Sequence, residues 1–422
     1  MEDIFDIVLV GAGMSGSLMA SRIHQQHPEW KILLLEKEAS PGGRLRATKR
    51  DQGLWSYGLD SLSDELFDFL DQSLKADPET RPLDELAPGR RESMGVLAAS
   101  KISTTKLGES FSSQGARCIA GAAAARDWSL IDELVSKVQE GKKGEQAFAN
   151  SWSGTRKNAS AVALEHLARM YGIPDVWSTT AKDVVGKVNE FNSSLRLGDW
   201  EGVCQELLSK GIASEKIELV PECQLAEAHW DDETWSLTTT KGEFSAKRLL
   251  VAQNPWDAIQ WLDKKYWPSK LVNVPSKAKP VSVVLLTDQI LEEAPIPDVT
   301  IVPAEGVQIF RKSNSICMQA TLNFELTLSA PEVVKAVKRL RRARKKLLAA
   351  VPELKVEGDH IALLPVAWSQ PLAPNERKVM SKLNGYAFQK KHLLFCGDAY
   401  GPNLEGDKNI IASALKASDI LA

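Results

Sequence analysis

Ile7-Val-Leu-Val-Gly-Ala-Gly-Met-Ser-Gly-Ser17, followed by Ile32-Leu-Leu-Leu-Glu-Lys37 and Pro41-Gly-Gly-Arg44, is the stretch whose reading decides the fold. Ile7–Val10 is a short apolar run with β-branched residues, the pattern of a strand buried on both faces. Gly11, Gly13 and Gly16 complete Gly-x-Gly-x-x-Gly, with Ala12, Met14 and Ser15 between them. In that pattern the first glycine permits a tight turn and the second lets a pyrophosphate approach the backbone. The third lets the following helix pack closely on the strand. A helix from Met14 then aims free N–H groups and its positive dipole end at phosphate. Ile32–Leu35 reads as a second buried strand ending in Glu36 and Lys37. Glu36 lies about 20 residues past the last glycine, where a carboxylate accepts from the adenosine ribose hydroxyls. Glycines alone are weak evidence; the strand before, the helix after and the acid at the end of the second strand define a dinucleotide site. Glu36 repels a 2′-phosphate, so NADP is disfavoured and FAD or NAD remain.

In Pro41-Gly42-Gly43-Arg44, two residues without side chains allow close approach, and a guanidinium pairs with phosphate oxygens. This run resembles the Gly-Gly-Arg signature of the flavin-containing amine oxidase superfamily, which includes renalase-like and protoporphyrinogen oxidase-like FAD-dependent oxidoreductases. The resemblance implies an α/β flavoprotein of two domains, one Rossmann-like for FAD and one mixed α+β for substrate. Gly42, Gly43 and Arg44 would then lie along the FAD pyrophosphate and flavin.

Other segments extend the resemblance. Gly58 fits a family glycine, and Asp60 falls where a polar residue faces the flavin, although Ser56 and Ser61 replace the usual aspartate and aromatic. Val220, closing a strand from Lys216, matches the residue whose backbone meets the adenine. Arg248–Pro255 resembles the next buried strand and its Ala-x-Pro exit. Aligned on Pro371, Trp368 replaces the family's flavin-flanking tyrosine. His392–Cys396 leads a strand into Gly397-Asp398, whose carboxylate in the family accepts from the ribityl chain. A helix read as starting near Asn409, with Asn409 as its N-cap and Ile410 next, would face the N1–C2=O edge of the flavin and stabilise negative charge there. No cysteine sits in this loop where some amine oxidases attach flavin covalently, so the expected cofactor is non-covalent FAD.

The remaining sequence sets bounds. The chain has 422 residues, 43% hydrophobic and 25% charged, which is globular and long enough for two domains. A net charge of −3 gives no global basic field for nucleic acid. Five scattered cysteines and six histidines show no metal or disulfide spacing. The acidic start, Met1-Glu-Asp-Ile-Phe-Asp6, is not a signal peptide, and no apolar run spans a bilayer, so the expected location is cytoplasmic. Residues 1–60, 196–270 and 385–422 are read as a discontinuous FAD domain, and 61–195 with 271–384 as the substrate domain. The stretch from Ser63 to Leu195 reads as mostly helical, with helices at Glu65–Leu74, Gly121–Ala125, Trp128–Val138 and Ala159–Tyr171 and a turn at Gly141–Gly144. Pro280–Thr287, Val299–Val302, Val307–Phe310 and Ile316–Leu322 suggest an antiparallel sheet. The helix Pro331–Val351 carries eight cations between Lys335 and Lys346. A solvated basic face accounts for such a run; a docking face for an acidic partner, an anionic lipid surface or nucleic acid is the sharper alternative.

Three functional readings follow. The first is an oxidoreductase moving a hydride from a small organic substrate, an amine or a reduced nicotinamide, to flavin N5, with Asp60 and Trp368 beside the ring. The second is a flavin-binding protein without efficient turnover, suggested by the replaced family residues near Gly58 and Trp368. The third is a desaturase or isomerase acting on an apolar substrate. The purified protein is expected to be yellow, with about one FAD per chain. Heat or acid should release all of it into the supernatant, and flavin retained on the precipitated chain would contradict non-covalent binding.

Overall fold

The computed structural model describes residues 4–45, 47–50, 53–56, 61–75, 81–98, 101–106, 148–151, 165, 176–177, 179–181, 195–231, 233–267, 269, 271–277, 280–292, 294–312, 314–322, 330–369, 372, 374–401 and 406–422. Its centre is a five-stranded sheet ordered Ile217–Val220, Ile32–Leu35, Ile7–Val10, Leu249–Val251 and Leu393–Phe395. Every pairing in it is parallel. Parallel strands are hidden on both faces, which explains the unbroken apolar runs. One face sets Ile7, Leu9, Ile32, Leu34, Leu250 and Leu394 against the helices Met14–Gln26, Trp200–Ala213 and Asp407–Leu421. The other sets Val8, Val10, Leu33, Leu35, Val251 and Phe395 against a four-stranded sheet carrying Trp230, Trp235 and Leu237.

The outer edge of this sheet is closed by a side chain. Asn384 donates from Nδ2 to the Phe395 carbonyl at 2.8 Å and accepts from the Phe395 N–H at 2.7 Å. A buried amide thus stands in for the missing neighbour strand, whose absence would leave both backbone groups unpaired.

A second, seven-stranded sheet runs in the order Lys355–Ser369, Pro280–Glu292, Ser315–Thr321, Val307–Arg311, Val299–Val302, Ser93–Ala98 and Lys101–Lys106. It is antiparallel except where Val299–Val302 pairs with Ser93–Ala98. The helix Ala330–Ala350 covers one face, packing Ala336, Leu340, Ala343 and Leu347 on Val284, Leu286, Ile316 and Met318. The mostly helical reading of 63–195 is corrected within the described residues of that stretch. Asp64–Lys75 is a helix with Leu66, Phe67, Leu70 and Leu74 buried, but Gly89–Arg91, Ser93–Ala98, Lys101–Lys106 and Leu195–Leu197 are strands. These runs are too short for periodicity to separate strand from helix; Gly89–Arg91, Ser93–Ala98 and Leu195–Leu197 find ladder partners about 100 to 200 residues away, and Lys101–Lys106 forms a hairpin on Ser93–Ala98. The helices expected at Gly121–Ala125, Trp128–Val138 and Ala159–Tyr171, and the turn at Gly141–Gly144, lie outside the described residues apart from Glu165.

The basic helix is tied into its own sheet. Arg342 and Lys346 share Glu305 at 2.7 and 2.6 Å, Arg344 meets the fully buried Asp288 at 2.6 Å, and Arg341 pairs with Asp359. Arg339 donates to the carbonyls of Glu305 and Gly306. Burial pushes the Glu305 carboxyl up, yet Lys346 and Arg342 hold it below its ordinary value. Among the described residues no helix is long and apolar enough to cross a membrane. Leu250, fully buried in the central sheet, should cost about 2–5 kcal/mol when cut to alanine. Leu415→Ala, at a 39% exposed site, should stay within about 0.5 kcal/mol. Urea unfolding of the two variants compares them directly.

Candidate cofactor site

The first glycine turn is built by close contact. A Cβ on Gly16 would stand 1.8 Å from the Gly11 carbonyl oxygen, so only glycine lets the Met14–Gln26 helix start against the strand end. Glu36 is 5% exposed and accepts from the Ala12 N–H at 2.8 Å and the Glu38 N–H at 3.0 Å. The acid at the end of the second strand therefore fixes the glycine turn. Ala12 is engaged on both sides, since its carbonyl accepts from the Gly42 N–H at 2.8 Å. Gly13 and Gly42 form a parallel bridge, and a Cβ on Gly43 would stand 3.0 Å from the Gly13 Cα. The two glycine motifs are thus one surface, with Gly43 in the left-handed region at φ +54°.

The third motif reaches the same place. Arg44 Nη2 donates to Asp398 Oδ2 at 2.7 Å, joining residues 354 positions apart. A Cβ built on Gly397 would lie 3.8 Å from Ser15 Oγ, at the start of the first helix. Asn409 is fully buried and donates from Nδ2 to the Asp398 carbonyl at 2.7 Å, and Ser413 Oγ accepts from the Gly397 N–H at 2.9 Å. The last helix starts at Asp407 with Gly406 as its N-cap, two residues before the expected start. Asn409 therefore clamps the Gly397-Asp398 loop instead of capping. The reason is local: the backbone N–H groups of Asn409 and Ile410 both turn back to the Gly406 carbonyl. Ile410 and Met14 put their side chains into the core beneath the helices.

The rim is charged. The Val220 carbonyl accepts from the Glu36 N–H at 3.0 Å, closing the second strand against the third. Lys37 is exposed. Burial pushes the Asp257 carboxyl up, while Lys37 and Arg44 oppose that shift. Asp257 was not legible in the sequence; it follows the Ala252–Pro255 exit and owes its place to the neighbouring strand end. Tyr400 was also missed. Its ring packs at a tilt against Phe395 with centroids 5.2 Å apart, its buried hydroxyl has no hydrogen-bond partner among the described residues, and burial, then Asp398 and Asp257, push its pKa well up. Cys396 is buried and pushed up to about 12 by burial, which makes it an inert thiol. Trp368 lies on the Lys355–Ser369 strand opposite Val281, with its side chain outside the described residues; Asp60 lies outside them entirely.

Gly11, Glu36, Ala252 and Gly397 all follow the carboxyl ends of parallel strands, the crevice where open α/β sheets bind dinucleotides. A cradle too tight for a Cβ, an arginine in its wall and an orphaned buried hydroxyl behind it fit a pyrophosphate-bearing cofactor. Fold and crevice together define a two-domain flavoprotein of Rossmann-like type. Residues 6–404 match the family described as FAD dependent oxidoreductase, DAO, and the chain belongs to that family. It is accordingly an FAD-dependent oxidoreductase. Solved structures with the same fold include a candidate protoporphyrinogen oxidase from Exiguobacterium sp. 255-15, with TM-score 0.71 and 14% identity over 100% of this chain and 99% of that one. Another is cyclohexylamine oxidase from Brevibacterium oxydans IH-35A, with TM-score 0.67 and 13% identity over 99% and 100%. Among curated proteins, lycopene beta-cyclase of Pantoea ananas is 34% identical over 64 residues, only 15% of either chain.

Glu36→Ala should weaken FAD binding by about 1–3 kcal/mol, the scale for losing a charged acceptor. Glu36→Gln should cost less, since it keeps one acceptor oxygen. Flavin retention measured by equilibrium dialysis decides this; equal retention in both variants and the parent would remove Glu36 from the ribose.

Proposed function

We propose that this oxidoreductase oxidises a small organic molecule by hydride transfer, with an amine or a reduced nicotinamide as the first donors to test. The reading is carried by the convergence of Gly11–Gly16, Gly42–Arg44 and Gly397–Asp398 at one crevice. FAD, when bound, supplies the hydride acceptor. The chain's own residues bind and orient. Glu36 would accept from the adenosine ribose, beside Lys37 and the Val220 backbone. Gly11, Ala12, Gly13, Met14, Ser15 and Gly16 would present the turn and the helix N-terminus to the pyrophosphate. Gly42, Gly43 and Arg44 would line its other side, and Asp398, steadied by Arg44 and Asn409, would accept from the ribityl hydroxyls. Ile410 would support the last helix from the core side. On this reading residues 1–60, 196–270 and 385–422 hold the cofactor, and 61–195 with 271–384 hold the substrate.

Asp60 and Trp368 are proposed beside the substrate. An indole can stack on a planar or cationic molecule, and a carboxylate can hold a cation or accept a proton. The internal ion pairs of the Ala330–Ala350 helix support a structural role for its charge over a docking role. Anaerobic mixing with a panel of amines, NADH and NADPH should bleach the flavin with at least one class. Asp60→Asn should slow that bleaching about 10²-fold if Asp60 handles a proton. An unchanged rate would return Asp60 to a turn-stabilising role, and a flavin that no donor reduces would favour a binding role for the protein.

A further inference from the structure

The seven-stranded sheet ends in an open edge. Lys355–Ser369 pairs with Pro280–Glu292 on one side and, among the described residues, with no strand on the other. Only part of that edge is regular. A bulge at Gly358 and Asp359, with φ at +140° and +96°, breaks the ladder opposite Thr287 and Asp288. Further on, Pro365 has no N–H to offer. Between these two interruptions, His360–Leu364 keeps an unbroken register with Val283–Thr287. Bulges and prolines keep long edges from sticking to one another. Here they leave one short run still able to take a strand.

That run presents an apolar side to solvent. Ile361 and Leu363 lie opposite Leu286 and Val284, on the face that carries the Ala330–Ala350 helix. The helix packs on Pro280–Glu292 and Ser315–Thr321 and stops short of the edge. Ile361 is accordingly 42% exposed and Leu363 41%. The helix flank beside them is basic. Arg341 pairs with Asp359 of the bulge, and Arg341, Arg344, Lys345, Leu348 and Asp359 line an open cleft of about 390 Å³. Glu305 draws Arg342 and Lys346 to the opposite flank, and Asp288 takes Arg344. Lys345 is exposed and has no carboxylate partner among the described residues.

Charge selects the occupant. In a second copy paired edge to edge about a two-fold axis, both helices would lie on the same side of the joined sheet. Arg341 and Lys345 would then face their own equivalents, and like charges repel. An acidic segment meets the opposite sign.

We propose that His360–Leu364, with the basic helix flank beside it, docks an extended acidic segment of a partner protein as an added strand. Main-chain bonds to the edge supply affinity, and alternate side chains supply specificity. Two apolar side chains of the segment pack on Leu363 and Ile361. The next one on that face is acidic and enters the cleft to meet Lys345. The ion-paired cations keep their structural role, so recognition falls to the edge and to this one lysine. The proposal does not depend on the chemistry at the flavin.

Fluorescence polarisation on the FAD-loaded full chain tests it, with a short labelled peptide of alternating valine and threonine flanked by glutamates. The controls are the same peptide flanked by lysines and one with a central proline, which cannot complete the ladder. The glutamate peptide should bind at least about tenfold tighter than either. Lys345→Glu and Ile361→Lys should each weaken it about tenfold. Both side chains are at the surface, so flavin content should stay the same and the melting point should move by less than about 2 °C. If Ile361→Lys melts lower than that, Lys345→Glu alone decides. No binding of the glutamate peptide, equal binding of either control, or indifference to Lys345→Glu would each overturn the proposal. So would a chain that ignores the peptide and instead dimerises in sedimentation until Ile361→Lys prevents it, or that ignores the peptide and sediments with anionic vesicles.

Discussion

A helix can aim its N–H groups at a phosphate only if its first turn sits hard against the end of the strand that feeds it. Here that constraint is the contact of Gly16 with Gly11, where a Cβ would come within 1.8 Å of a carbonyl oxygen. Everything at the crevice is built outward from it. The turn leaves the Ala12 N–H pointing at Glu36 and the Ala12 carbonyl pointing at Gly42. The second glycine loop can then lie flat on the first, and Arg44 at its end meets Asp398 from the far end of the chain. The half-buried ion pair is a modest contributor to stability. Its consequence is positional, since it holds two walls of the crevice at a fixed separation.

Buried polar side chains fix the loops at the cofactor crevice. Around the parallel sheet several are satisfied: Asn384 completes the edge strand, Asn409 and Ser413 hold the Gly397-Asp398 loop, and Glu36 takes two backbone donors. Such bonds make a loop rigid because breaking one strands a donor or acceptor away from water.

The basic helix illustrates how composition misleads without partners. Eight cations between Lys335 and Lys346 look like an electrostatic surface. In the fold, Glu305, Asp288 and Asp359 come from three separate segments to meet them. Breaking the Arg344–Asp288 pair from one side would leave a buried carboxylate uncompensated, so this charge is part of the architecture.

What the sequence by itself determined is the local chemistry of the cofactor half: the buried strand runs, the glycine spacing, the acid after the second strand, and the Gly-Gly-Arg and Gly-Asp signatures. These are legible because each depends on neighbours within a few residues, through strand burial, turn geometry and helix dipole. Tertiary structure decided the rest. It set the pairing of Arg44 with Asp398, the conversion of Asn409 from an expected cap into a loop clamp, the places of Asp257 and Tyr400, and the strands at Ser93–Ala98 and Lys101–Lys106. It also chose which face of Ser315–Thr321 carries its glutamine and serine. Most of these depend on partners distant in the chain or on the exact residue where a helix begins, and short-range periodicity carries no information about either.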